Sequence, residues 1–135
     1  MNSFRVDGYG ARPRVFILED CPLISLDLAS AAEGLGCEVV GPMHALSSEV
    51  TELAEQGNVD VAIVDLVLSN GYSDGIIRSF QKRGVPVVVC SRLMVKAVQM
   101  EFPSAAVLGK PPSKDALQEV LLSLLMRGAG EANAG

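Results

Sequence analysis

Short, unbroken apolar runs alternate along the chain with longer stretches whose apolar positions recur at helical spacing. Val15-Phe16-Ile17-Leu18, Val61-Ala62-Ile63-Val64 and Val87-Val88-Val89-Cys90 are continuous rather than alternating, the pattern of strands covered on both faces. Arg14 to Leu18 is predicted as the first strand, with Pro22 in the first turn of a following helix. From Leu23 the apolar positions Leu23, Leu26, Leu28, Ala31 and Leu35 recur at helical spacing until Gly34 and Gly36. Cys37 to Gly41 reads as the second strand, and Leu46 to Gln56 as a helix stopped by Gly57-Asn58. The third strand, Val59 to Asp65, leads into a turn-rich loop at Ser69 to Gly75. Ile76, Ile77 and Phe80 mark a short helix ended by Gly84, followed by a strand at Val85 to Cys90. A weak helix, Leu93 to Phe102, precedes the short strand Ala105 to Leu108. Ser113 to Met126 is the last helix, with Leu117, Val120, Leu121, Leu124 and Leu125 inward.

Five strands alternating with five helices require right-handed helical crossovers between parallel neighbours, and so an α/β sheet wrapped on both faces. At 135 residues, 49% hydrophobic and 20% charged, the chain suits one domain with a sizeable core. Residues 1–13 are expected to be a flexible lead, 14–127 the folded domain and 128–135 a disordered tail.

A net charge of −5 without a basic run argues against nucleic acid as a partner. No apolar stretch approaches the roughly 20 residues that span a bilayer, and the start is unlike a signal peptide. A cytoplasmic protein with no membrane partner is expected. Cys21, Cys37 and Cys90 lack CxxC spacing, and His44 has no ligand-spaced neighbour, so zinc is not expected and the thiols read as reduced.

The chemistry lies at the strand ends. Glu19-Asp20 ends the first apolar run and Asp65 the third; on neighbouring parallel strands, their carboxylates crowd at the sheet edge where such folds bind ligands. Two carboxylates about 5 Å apart repel by roughly 3 kcal/mol at an effective dielectric of about 20, so the group calls for a cation. A hard divalent ion with oxygen ligands, of the magnesium type, meets that need. Ser91 and Lys110 arrive at the same edge from later strands, which suits phosphoryl chemistry. Taken singly, Glu19-Asp20, Asp65 and Ser91 read equally as helix caps, and Lys110 as a solvated loop residue; it is their joint placement that points to a site.

The pieces Phe16-Ile17-Leu18-Glu19-Asp20, Val64-Asp65, Pro86-Val87-Val88-Val89-Cys90-Ser91 and Lys110-Pro111 resemble, in this order, the receiver domain of two-component response regulators. The resemblance covers about Arg14 to Arg127. It implies a flavodoxin-like (βα)5 fold of strand order 2-1-3-4-5, with Asp65 as phosphoacceptor for a sensor histidine kinase or phosphotransfer protein. It also implies Mg2+ held by Glu19, Asp20, Asp65 and the backbone carbonyl of Val67, Lys110 against a phosphoryl oxygen, and Ser91 as the switch hydroxyl. The resemblance implies a signalling domain rather than an enzyme, with at most slow self-dephosphorylation, acting on an output protein by contact as a monomer or weak dimer. Glu19 to Ile24 and Glu38 to Pro42 are similar to a stand-alone alphaproteobacterial receiver subgroup.

Two positions depart from the family pattern. Arg92 follows the switch hydroxyl where receivers have Ala or Gly, and Val107 replaces the fifth-strand aromatic. Arg92 either narrows access, pairs with the acidic cluster or is a plain surface cation. The alternative function is a degenerate receiver that binds protein independently of phosphorylation. A nucleotide-binding enzyme has little support, because Gly34-Leu35-Gly36 does not follow a strand and no Walker-type lysine is present.

Overall fold

The computed structural model describes residues 12–134, with side chains as far as Arg127; residues 1–11 of the expected lead and Gly135 of the expected tail lie outside them. In chain order the elements are β1 (Arg14–Leu18), α1 (Pro22–Gly34), β2 (Glu38–Met43), α2 (Ser48–Gln56), β3 (Val61–Asp65), β4 (Val67–Leu68) and β5 (Gly71–Tyr72). There follow α3 (Asp74–Lys82), β6 (Val87–Ser91), α4 (Val95–Glu101), β7 (Ala106–Gly109) and α5 (Lys114–Ala134). The main sheet has the order β2-β1-β3-β6-β7 and its pairings are parallel. With the β4–β5 hairpin set apart, this is the expected 2-1-3-4-5 arrangement.

The two faces of the sheet carry separate cores because successive strand residues point to opposite sides. Phe16, Leu18, Ala62, Val64, Val87 and Val89 pack with Val50, Ala54, Ile77, Phe80 and Val98 of α2, α3 and α4. Val15, Ile17, Val61, Ile63, Val88 and Cys90 pack on the other side with Leu28, Ala31 and Ala32 of α1 and Leu117, Leu121 and Leu125 of α5. Phe16 and Phe80 bring their ring centroids to 5.4 Å. Cys37 and Cys90 are buried free thiols and Cys21 is a half-buried one.

Of the helically spaced apolar positions of α1, Leu23 and Leu26 are 74% and 64% exposed. At 100° per residue, the buried Leu28, Ala31, Ala32 and Leu35 share one side of α1, and Leu23 and Leu26 fall on the other. The loop expected between Ser69 and Gly75 contains β5, which pairs antiparallel with β4 through Val67 and Tyr72. The fourth helix starts at Val95 rather than Leu93, because Ser91 Oγ accepts the Leu93 N–H at 3.0 Å and holds a turn there. The last helix passes Met126, and its backbone runs to Ala134.

Gly41 shapes the edge next to the site. Its φ is +100°, and a Cβ there would lie 2.7 Å from Met43 N, so glycine is required. The β1–β2 register shifts at this point, and Glu19 N–H donates to Met43 O at 2.9 Å. That bond holds the first acidic residue just beyond the end of β1.

Candidate functional site

The parallel register brings the strand ends together. Leu18 lies beside Val64, Asp65 beside Cys90 and Ser91 beside Gly109. Backbone bonds Leu66 N–H to Cys90 O and Lys110 N–H to Ser91 O, both 3.1 Å, continue the ladder past the strands. Glu19, Asp20 and Asp65 each offer a carboxylate oxygen within 4.8 Å of the others. Lys110 Nζ donates to Asp65 Oδ2 at 2.7 Å and to Glu19 Oε2 at 3.0 Å. With Ser91, Asp20 and Val67, Asp65 and Lys110 line a cavity of about 370 Å³. All five side chains predicted for the site therefore meet, and Val67 borders the same cavity. Arg92 does too, and among the described residues it makes no ion pair with the acidic cluster.

Burial dominates the electrostatics. Glu19 is fully buried, and Asp65 and Ser91 nearly so. Burial pushes the Glu19 carboxyl above its ordinary value, and the Asp65 charge pushes the same way against the Cys21 N–H and Lys110. For Lys110 burial acts to lower the value, but the hydrogen bonds it donates to Asp65 and Glu19 outweigh it, and the ammonium is held above its ordinary value. It is thus a fixed cation across the pH range of any cell.

These features can be set beside known proteins. No family model matches the chain. The Phyllosphere-induced regulator PhyR of Methylorubrum extorquens is 27% identical over 114 residues, covering 81% of this chain and 42% of that protein; the chain spans less than half the length of this curated relative. The receiver domain of the Francisella response regulator 1452 superposes with a TM-score of 0.72 at 22% identity, over 87% of this chain and 99% of that one. Response regulator PhyR from Brucella abortus gives 0.77 at 23% identity, over 94% of this chain and 53% of the other. The fold is that of a response regulator receiver.

In this receiver fold the acidic residues fit a magnesium-type ion. The donors are hard oxygens, and three carboxylates face one ammonium. Glu19 Oε1 is buried without a hydrogen-bond partner among the described residues. An orphaned carboxylate oxygen in such a place is costly unless a cation or water meets it. Asp20 Oδ2 accepts the Ser69 N–H at 2.8 Å and so points toward the hairpin loop.

Residues around this site that sequence reasoning missed are those that hold its backbone. Ser73, fully buried, donates its hydroxyl to Asp65 O at 2.7 Å and Leu66 O at 3.3 Å. Asn70 bonds the backbone of Leu46 twice, accepting at 3.1 Å and donating at 3.0 Å. His44 Nδ1 lies 3.0 Å from Glu19 O. Ser73 and Asn70 sit in a turn-rich stretch where such residues commonly bond their own neighbours, so their long-range partners left no local signal. Val107, at the departed aromatic position, is half-buried and packs against the α2–α3–α4 core.

Proposed function

We propose that this chain is a phosphorylation switch in which Asp65 accepts a phosphoryl group from a phosphohistidine on a sensor kinase or phosphotransfer protein. The observation that carries the reading is the buried Lys110 ammonium shared between Asp65 and Glu19 in one cavity with Ser91. An Asp65 oxygen forms the new O–P bond as the P–N bond of the donor breaks, its electron pair remaining on the imidazole. Such a transfer needs alignment and charge stabilisation more than covalent help. Glu19, Asp20, Asp65 and the Val67 carbonyl would hold magnesium, which when bound neutralises charge on the phosphoryl oxygens.

Lys110 meets one phosphoryl oxygen as a point charge. Ser91 Oγ already accepts from Leu93, and its hydroxyl hydrogen, without an acceptor among the described residues, can donate to another oxygen. Drawing Ser91 inward disturbs the turn that leads to Leu93, Met94 and Val95, all exposed. With Val107 in place of an aromatic ring, this turn is the route from the site to the surface. Output passes by contact to another protein in the cytoplasm, with no nucleic acid and no membrane involved, from a monomer or weak dimer. Any catalysis is limited to slow self-dephosphorylation. Among the described residues no helix is long and apolar enough to cross a membrane.

The second reading, a degenerate receiver that binds protein without phosphorylation, is favoured by Arg92 on the cavity wall. Intact mass after incubation with magnesium chloride and a small phosphodonor decides between them. One added phosphoryl group on the wild type and none on Asp65→Ala supports the switch. An unchanged wild-type mass supports the binding module.

A further inference from the structure

Four described arginines beside other parts of the fold are committed to acceptors or rings. Arg12 donates to Cys37 O at 2.7 Å, Arg14 to Asn58 O at 2.7 Å and Arg83 to Ala54 O at 3.0 Å. Arg78 lies over the Phe102 ring at 4.9 Å. Arg92 has no hydrogen bond, ion pair or ring contact among the described residues, is exposed, and borders the cavity holding Asp65 and Lys110. A guanidinium left free beside a buried acidic pocket is available to a ligand.

The charge count says which ligand. Glu19, Asp20 and Asp65 against Lys110 leave two negative charges, which one dication cancels. Turning the Asp65 carboxylate into an acyl phosphate of about −2 adds one negative charge back. Lys110 cannot absorb it without loosening a carboxylate, because it already serves both Asp65 and Glu19. We infer that Arg92 is a phosphoryl-binding residue of this receiver, its guanidinium closing on the group carried by Asp65. This rests on the phosphorylation of Asp65 proposed above, and it makes Arg92 a ligand to the product rather than an obstruction. The planar fork of Arg suits two phosphoryl oxygens, which a lysine at this position would not match.

The test is an equilibrium titration of the full chain with beryllofluoride in excess magnesium chloride, followed by amide chemical shifts, with Asp65→Ala as the control. Arg92→Ala is expected to weaken the apparent Kd roughly tenfold, the order of one partly exposed charge-assisted hydrogen bond. Arg92→Lys is expected to recover part of the loss, and added salt to narrow the gap between wild type and Arg92→Ala. Arg92 is exposed and unpaired among the described residues, so the alanine variant should fold, which far-UV circular dichroism checks. Equal binding by wild type and Arg92→Ala overturns the inference, and tighter binding by Arg92→Ala shows that the side chain obstructs the pocket. If the wild type gives no saturable response that Asp65→Ala abolishes, the phosphorylation reading itself fails, and the inference with it.

Discussion

Lys110 Nζ stands 2.7 Å from Asp65 Oδ2, across 45 residues of sequence and with both side chains almost wholly buried. Removing one partner of such a pair leaves an uncompensated charge inside the fold. Lys110→Ala is expected to lose about 3 kcal/mol of stability without magnesium, measured by denaturant unfolding at neutral pH. The variant should still bind magnesium but lose most of the beryllofluoride-induced shift changes. Shifts moving as far as in the wild type would count against its role in coupling.

Glu19 gives a prediction of opposite sign. Its carboxyl is raised mainly by burial, so the folded state resists ionising it. The resulting cost is absent below its ordinary value of 4.5 and grows as pH rises through the higher folded value. Glu19→Gln should therefore unfold later than the wild type at neutral pH, by about 1 kcal/mol. The difference should shrink toward pH 4; a constant difference across that range would refute the cause given.

Magnesium should stabilise the wild type by mass action, by about 1.4 kcal/mol when its concentration is ten times Kd. Asp20→Asn keeps an oxygen for the Ser69 N–H while removing one charge from the acidic set. Its thermal midpoint should respond to magnesium at least several-fold more weakly. A response equal to that of the wild type would remove Asp20 from the ligand set.

Burial pushes the thiols of Cys37 and Cys90 up to about 11 and about 12. An unfolded chain gives up these protons near 9.0, so the stability they contribute is whole below that pH and is lost as pH rises through the folded values. The denaturant midpoint should fall between pH 8 and pH 10.5, and less steeply in Cys90→Val. A disulfide reagent at pH 8 should label the half-buried Cys21 first, with Cys37 and Cys90 reacting only on unfolding.

Phe80 is fully buried against Phe16, on the α3 side of the sheet. Phe80→Ala should cost about 3 to 5 kcal/mol in urea unfolding. A loss under 1 kcal/mol would mean that this side of the core is loosely packed.

The order of strands and helices, and the residues standing at the strand ends, were decided by the sequence itself. Continuous runs rich in β-branched residues and as short as Val87 to Cys90 read as strands covered on both faces, and a parallel sheet then carries Glu19, Asp20, Asp65, Ser91 and Lys110 to one edge. Those are local periodicities combined with a handedness rule, and both are legible without coordinates. Which side of α1 faces the sheet was not, because Leu23 and Leu26 satisfy helical spacing as well as Leu28 does and only packing against α5 and the sheet separates them. The burial of Ser73, the pairing of β4 with β5, the sharing of Lys110 between two carboxylates and the freedom of Arg92 were likewise decided by tertiary structure. Each depends on groups far apart in the chain, and a hydrogen bond or an unmet charge exists only once the folded backbone has set the distances.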